Sequence, residues 1–238
     1  MKRFSFLLAA GVLACSHARA ATLQVFPSAP QPGDVITLTV YPARSEVLKG
    51  VGMAAFDTPR VKFYARKDGS ARAFLGFPYD RSGGKVTLRA RVALAQNGKS
   101  REQIASTSFV ARSRNFPTQR ISMHNSNAAK MSQKDLFRRE KARVQSTMQN
   151  SNPAPLWRGN WAVPCHGAST SSYGRKRYVN RKWWGQHNGA DIKAGTGTRV
   201  NATNSGRVVL SEYLPTLRGN CIVIDHGCNV FSVYMHLS

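Results

Sequence analysis

The chain has 238 residues, 42% hydrophobic and 19% charged, a balance that can bury a core and excludes a chain kept unfolded by composition. Lys and Arg number 35 against 11 Asp and Glu, a formal net charge of +24. That excess points to polyanionic partners (nucleic acid, an anionic membrane surface or an acidic cell-wall polymer) and says nothing about fold.

The chain opens with Lys2 and Arg3, followed by an apolar run from Phe4 to Ala14 that is too short to span a bilayer. Ala18-Arg19-Ala20 then supplies a small-x-small cleavage site, so residues 1–20 read as a secretory signal and the mature protein as exported, to the periplasm or cell envelope. A second processing route is a lipid anchor on Cys15, because Val12-Leu13-Ala14-Cys15 has the look of a lipoprotein box. Lys2, Arg3 and Arg19 leave with the signal and no acid does, so the net charge falls from +24 to +21. Export places Cys165, Cys221 and Cys228 where disulfides persist, and their odd number leaves one without a partner in this set.

Residues 21–112 carry the pattern of a small immunoglobulin-like β-sandwich. Ile36, Leu38 and Val40 alternate with Thr37, Thr39 and Tyr41, and Val86, Leu88, Ala90 and Val92 repeat the period of two. Further strands are expected at Leu23–Phe26, Val61–Arg66, Ala73–Phe77 and Ile104–Val110. Asp68-Gly69 and Asn97-Gly98 are hairpin signals between them, and no helical period intervenes. No cluster of His, Cys or carboxylates falls here, so the segment reads as a spacer or binding module.

Residues 113–155 read as a linker. Ser132 with Asp135 resembles a capping box, and the stretch to Met148 lacks Gly and Pro, which predicts a helix over about 133–148. Leu136, Phe137, Val144 and Met148 give it one apolar edge, and Asn150-Ser151-Asn152-Pro153 closes it.

Residues 156–238 are strand-rich again. No carboxylate occurs between Glu140 and Asp191, while Arg158, Arg175, Lys176, Arg177, Arg181 and Lys182 all do, with Trp183 and Trp184 beside them. Such a run can bind nucleic acid, stack on sugar rings or simply form a solvated loop. His187-Asn188-Gly189-Ala190-Asp191 brings an imidazole and a carboxylate four residues apart, both suited to zinc. On a straight strand they would stand about 13 Å apart at roughly 3.3 Å per residue. They can therefore share an ion only if the chain bends at Asn188-Gly189.

Several stretches in one order resemble the lysostaphin-type (LytM-domain) zinc metallopeptidases that cleave peptidoglycan. They are Ser171-Ser172-Tyr173-Gly174 followed by Arg175–Arg177, then His187–Ile192 with Gly189 as the inner glycine, and then Gly195–Val200. Ser205–Val209, Gly219–Gly227 and Tyr234-Met235-His236-Leu237-Ser238 complete the series. The resemblance runs from about Trp161 to Ser238. It implies an antiparallel β-sheet peptidase domain, Zn2+ as cofactor and peptidoglycan as substrate. His187 and Asp191 would be zinc ligands and His236 the active-site histidine that handles the proton of the attacking water or the oxyanion. Anionic envelope polymers are the partners expected of the basic surface, and nucleic acid is not. His226, at the tip of an expected hairpin from Cys221–Asp225 to Val230–His236, reads as a surface residue.

A catalytic zinc needs three protein ligands and an open position, and the family takes its third from a downstream H-x-H that this sequence lacks. With Ser238 falling inside an apolar strand and one cysteine left over, the expectation is a catalytic domain cut short, with zinc held poorly by two ligands. The alternative is a non-catalytic wall-binding or amidase-activating module.

Overall fold

In a computed structural model, residues 20–123, 134–216 and 218–238 are described. Nearly all of the expected signal, Cys15 and the Ser132 cap lie outside these residues. The described chain is almost entirely β, with fifteen strands and one helix.

Seven strands build the N-terminal sandwich: β1 (Thr22–Phe26), β2 (Val35–Tyr41), β3 (Val47–Gly52), β4 (Tyr64–Ala65), β5 (Ala71–Gly76), β6 (Gly84–Gln96) and β7 (Lys99–Ala111). They form two sheets, ordered β1-β2-β5-β4 and β3-β6-β7, and every pairing is antiparallel. The alternation read from the sequence is the inward face. Ile36, Leu38, Val40 and Phe77 from one side meet Leu88, Ala90, Val92 and Leu94 from the other, all at most 5% exposed. Each large apolar side chain so buried stabilises the fold by about 1.5–3 kcal/mol. β6 and β7 pair along their whole length around Asn97-Gly98, both at positive φ (47° and 76°), the two-residue turn whose twist matches the strands it joins.

One expected strand is shorter than the sequence suggests, and one strand has no counterpart among the expectations. The stretch Val61–Arg66 pairs only over β4, because Val61 leaves the sheet to hydrogen-bond Met53 and Arg66 turns back to Ser70. β3 was not foreseen, since its glycines and Lys49 break the alternation.

The remaining elements are β8 (Thr118–Ile121), α1 (Lys134–Thr147), β9 (Ala168–Ser171), β10 (Lys176–Val179), β11 (Lys182–Gln186), β12 (Asp191–Lys193), β13 (Arg207–Leu214), β14 (Gly219–Asp225) and β15 (Phe231–Leu237). They make three small sheets: β11-β10-β8, β12-β9 and β13-β14-β15. Val144 of the helix, with Met148 just past its end, packs against Leu210, Leu214, Cys221 and Val223, which is the second core. Glu140 of the same helix is 4% exposed. Its carboxylate accepts from the Thr216 backbone N–H at 2.6 Å and from Arg218 at 3.2 Å, satisfying a charge that burial alone would forbid.

Candidate functional site

The His187–Asp191 pair sits where three short strands converge. β10 and β11 form a hairpin around Asn180 and Arg181, both at positive φ. Its open end continues the ladder, with the His187 N–H donating to Arg175 O at 2.9 Å and the Gly174 N–H to His187 O at 2.7 Å. Gly174 is required there: its φ is +83°, and a side-chain carbon would overlap the ring of Phe116. After His187 the chain turns at Asn188-Gly189 and re-enters a strand, so that Asp191 pairs with Ser171 of β9. The bend demanded by the H-x-x-x-D spacing is present, and His187 Nε2 lies 3.0 Å from Asp191 Oδ1.

The surroundings fix both side chains. His187 Nδ1 is 3.0 Å from the carbonyl oxygen of Ser172 and 3.2 Å from Ser171 Oγ. A carbonyl accepts only, so Nδ1 carries a proton and Nε2 is the nitrogen left to bind something. Nε2 faces a carboxylate oxygen, and two lone pairs at 3.0 Å repel unless a proton or a cation lies between them. The other carboxylate oxygen, Oδ2, accepts from the Arg177 guanidinium at 2.6 Å. The same guanidinium donates to Ser171 Oγ at 3.0 Å and to Gln119 Oε1 at 3.1 Å. Gln119 belongs to β8, which runs parallel to β10.

The donor set suits a zinc ion: one imidazole nitrogen with its second nitrogen hydrogen-bonded, and one carboxylate oxygen whose partner oxygen is anchored. The pair supplies two of the three protein ligands a catalytic zinc takes. Among the described residues no group of three His, Cys, Asp or Glu is close enough to share an ion.

His236 is not part of this cluster. It lies exposed in β15 at φ +60°, with its N–H donating to Arg218 O at 2.7 Å and its Cα beside Gly219. No contact joins it to His187 or Asp191 among the described residues.

His226 differs from expectation: it is fully buried. The β14–β15 turn, with Gly227, Cys228 and Asn229 all at positive φ, folds beneath the segment that leaves the helix. Leu156 N–H donates to His226 O at 2.7 Å, and Cys228 N–H to Asn152 O at 2.7 Å. The ring is held by Ser205 O at Nδ1 and Ser232 Oγ at Nε2, both at 2.8 Å, and its face meets Trp161 edge-on at 4.8 Å. Ser232 Oγ in turn donates to Tyr234 Oη, which bonds to Thr203. These are structural roles.

Sequence reasoning missed Gln119 altogether and gave Arg177 no role. A contact across 58 residues leaves no local signal, whereas Arg177 stood inside a quoted motif and its charge opposite a candidate ligand was the available clue.

Residues 185–238 match the family model of peptidase family M23. Over these residues, its C-terminal part, the chain is similar to the M23 peptidases. This is the LytM-type family whose resemblance the motifs carried, and the match begins just before His187 and includes Asp191 and His236. Ser171 and Arg177 lie upstream of the matched residues. Among solved structures, a Pseudomonas aeruginosa protein provisionally assigned as a peptidase M23 superposes with a TM-score of 0.50 at 19% identity, covering 88% of this chain and 74% of that one. At that identity the likeness concerns the fold, and it extends through the sandwich as well as the M23 segment. A search of curated protein sequences returns no match.

Proposed function

We propose that the protein is an exported zinc metallopeptidase that hydrolyses peptide links in peptidoglycan. The observation that carries this reading is the convergence of His187 Nε2 and Asp191 Oδ1 within the M23 segment, each ligand oriented by a hydrogen bond to its other polar atom.

His187 and Asp191 would hold the metal, which would act as a Lewis acid toward the scissile carbonyl and toward water. Ser172 O and Ser171 hold the imidazole with Nε2 turned outward. Arg177 fixes Asp191 through one oxygen and leaves the other for the ion. His236, which the family resemblance nominates for carrying the proton between water and the leaving amine, makes no contact with this pair among the described residues, so that role is assigned on the resemblance alone. The exposed Trp183 and Trp184 on β11, beside Lys182 and Arg181, offer a face on which substrate sugar rings can lie.

Purified peptidoglycan incubated with the full chain and excess zinc tests the reading, because two protein ligands hold zinc weakly. New amino termini on cross-bridge peptides, dependent on zinc and absent with His187→Ala, are the expected products. Cut glycan strands with intact peptides, or no zinc-dependent product at all, would contradict it and favour a wall-binding module.

A further inference from the structure

The sandwich carries a cationic groove that the metal pair does not use. Alternate residues of a strand share a face. Lys85, Thr87, Arg89 and Arg91 of β6 therefore point outward while Leu88, Ala90 and Val92 fill the core. At roughly 3.3 Å per residue, the basic side chains of this row spread over about 20 Å of strand. The register sets Arg89 opposite Ser106 and Arg91 opposite Ile104 on β7, with Gly52 of β3 on the other flank of Arg91. Because Gly52 has no side chain to fill that flank, a groove of about 550 Å³ opens there, lined by Met53, Pro59, Arg60, Arg89, Arg91 and Ile104 among others.

The charges in this groove are largely uncompensated. Elsewhere in the sandwich Arg66 pairs with Asp68, Arg101 with Glu46 and Arg114 with Asp34. Here Arg91 meets Glu102 at 3.4 Å with both side chains more than half exposed, a contact that solvent weakens. Arg60 and Arg89 have no carboxylate within 4.0 Å among the described residues, and neither does Lys85 further along the same strand face. Ile104, 58% exposed, lies among them.

We infer that this groove binds a linear, phosphate-bearing polymer without bases. Guanidinium forks match phosphate oxygens two at a time. The row along β6 suits an extended chain rather than a compact anion, and the exposed Ile104 offers apolar contact to the carbon links between charges. No aromatic side chain lines the groove, so nucleobases would find nothing to stack on. The inference uses none of the metal-site residues and holds whether or not that pair binds zinc.

Labelled inorganic polyphosphate titrated against the full chain, with anisotropy as readout, tests it. The variant Arg60→Ala/Arg89→Ala/Arg91→Ala should bind about tenfold or more weakly, and the slope of log affinity against log salt should fall by about 2. Arg44→Ala/Lys67→Ala/Lys99→Ala removes the same charge from exposed positions outside the groove and should cost less than about threefold. Equal losses in the two variants would overturn the groove in favour of diffuse charge. So would polyphosphate that fails to bind the wild-type chain, or single-stranded DNA or anionic lipid vesicles binding more tightly at equal charge. If the groove variant does not fold, as judged by circular dichroism, Arg89→Ala alone is read. It should lose about threefold, and an unchanged affinity overturns the proposal.

Discussion

At the residue scale, Arg177 is the side chain on which the most contacts of the candidate site converge. One planar guanidinium reaches Gln119, Ser171 and Asp191, and so ties β8, β9 and the start of β12 together. A lysine carries the charge but not the fork, and cannot meet three acceptors in different directions. Arg177→Ala should lower stability by about 1 kcal/mol, the modest figure reflecting a carboxylate that water can reach in part. Arg177→Lys should recover less than half of that, read from urea midpoints of the two variants. The approach of His187 to Asp191 was legible in the sequence, because the spacing and inner glycine called for a bend that brings the two side chains together. Gln119 was not, because nothing local distinguishes a glutamine on a short polar strand from any other.

At the scale of elements, the sandwich strands were readable wherever one face was buried and the other wet. β2 and β6 show the period plainly. β8 does not: Thr-Gln-Arg-Ile has no alternating apolar face, and its pairing to β10 is decided by residues far along the chain. The β14–β15 turn misled for a related reason. A hairpin tip is ordinarily exposed, but here the segment after the helix covers it, and Asp225 is the fastening. Its carboxylate, fully buried, accepts from Ser151 Oγ at 2.6 Å, from Asn152 N–H at 2.8 Å and from Gly227 N–H at 2.8 Å. Burial alone would raise its pKa. The three hydrogen bonds, with Arg207 nearby, outweigh burial and hold the group below its ordinary value of 3.8. A carboxylate with a depressed pKa lends stability above its unfolded value, and that stability is lost as pH falls through the folded one. Asp225→Asn should therefore cost about 2 kcal/mol near neutral pH, since an amide N–H would face a backbone N–H. The gap between wild type and variant should narrow in acid below about pH 3.8, which urea titrations at the two pH values would show. A gap that stayed constant would mean that the ionised form is not what fastens the turn.

At the scale of the molecule, the two halves meet through aromatic and polar contacts. Phe74 of β5 meets Trp157 edge-on at 5.9 Å, and Phe116 meets Tyr173 at 6.4 Å. Tyr173 also fills the space beside Gly33, where a side-chain carbon would collide with its ring. Tyr64 of β4 lies close to the Asp225 fastening. Burial first, then the neighbouring Cys228 and Asp225, push its phenol up to about 12, so it stays protonated throughout the physiological range. The sandwich thus backs the segment that covers the buried His226. The central claim concerns the other end of that arrangement, where His187 and Asp191 converge. Equilibrium dialysis of the full chain against zinc, followed by elemental analysis, tests it most directly. The account predicts one weakly held zinc per chain at saturation, absent from both His187→Ala and Asp191→Ala. Equal zinc in wild type and variants, or none in the wild type, would contradict it.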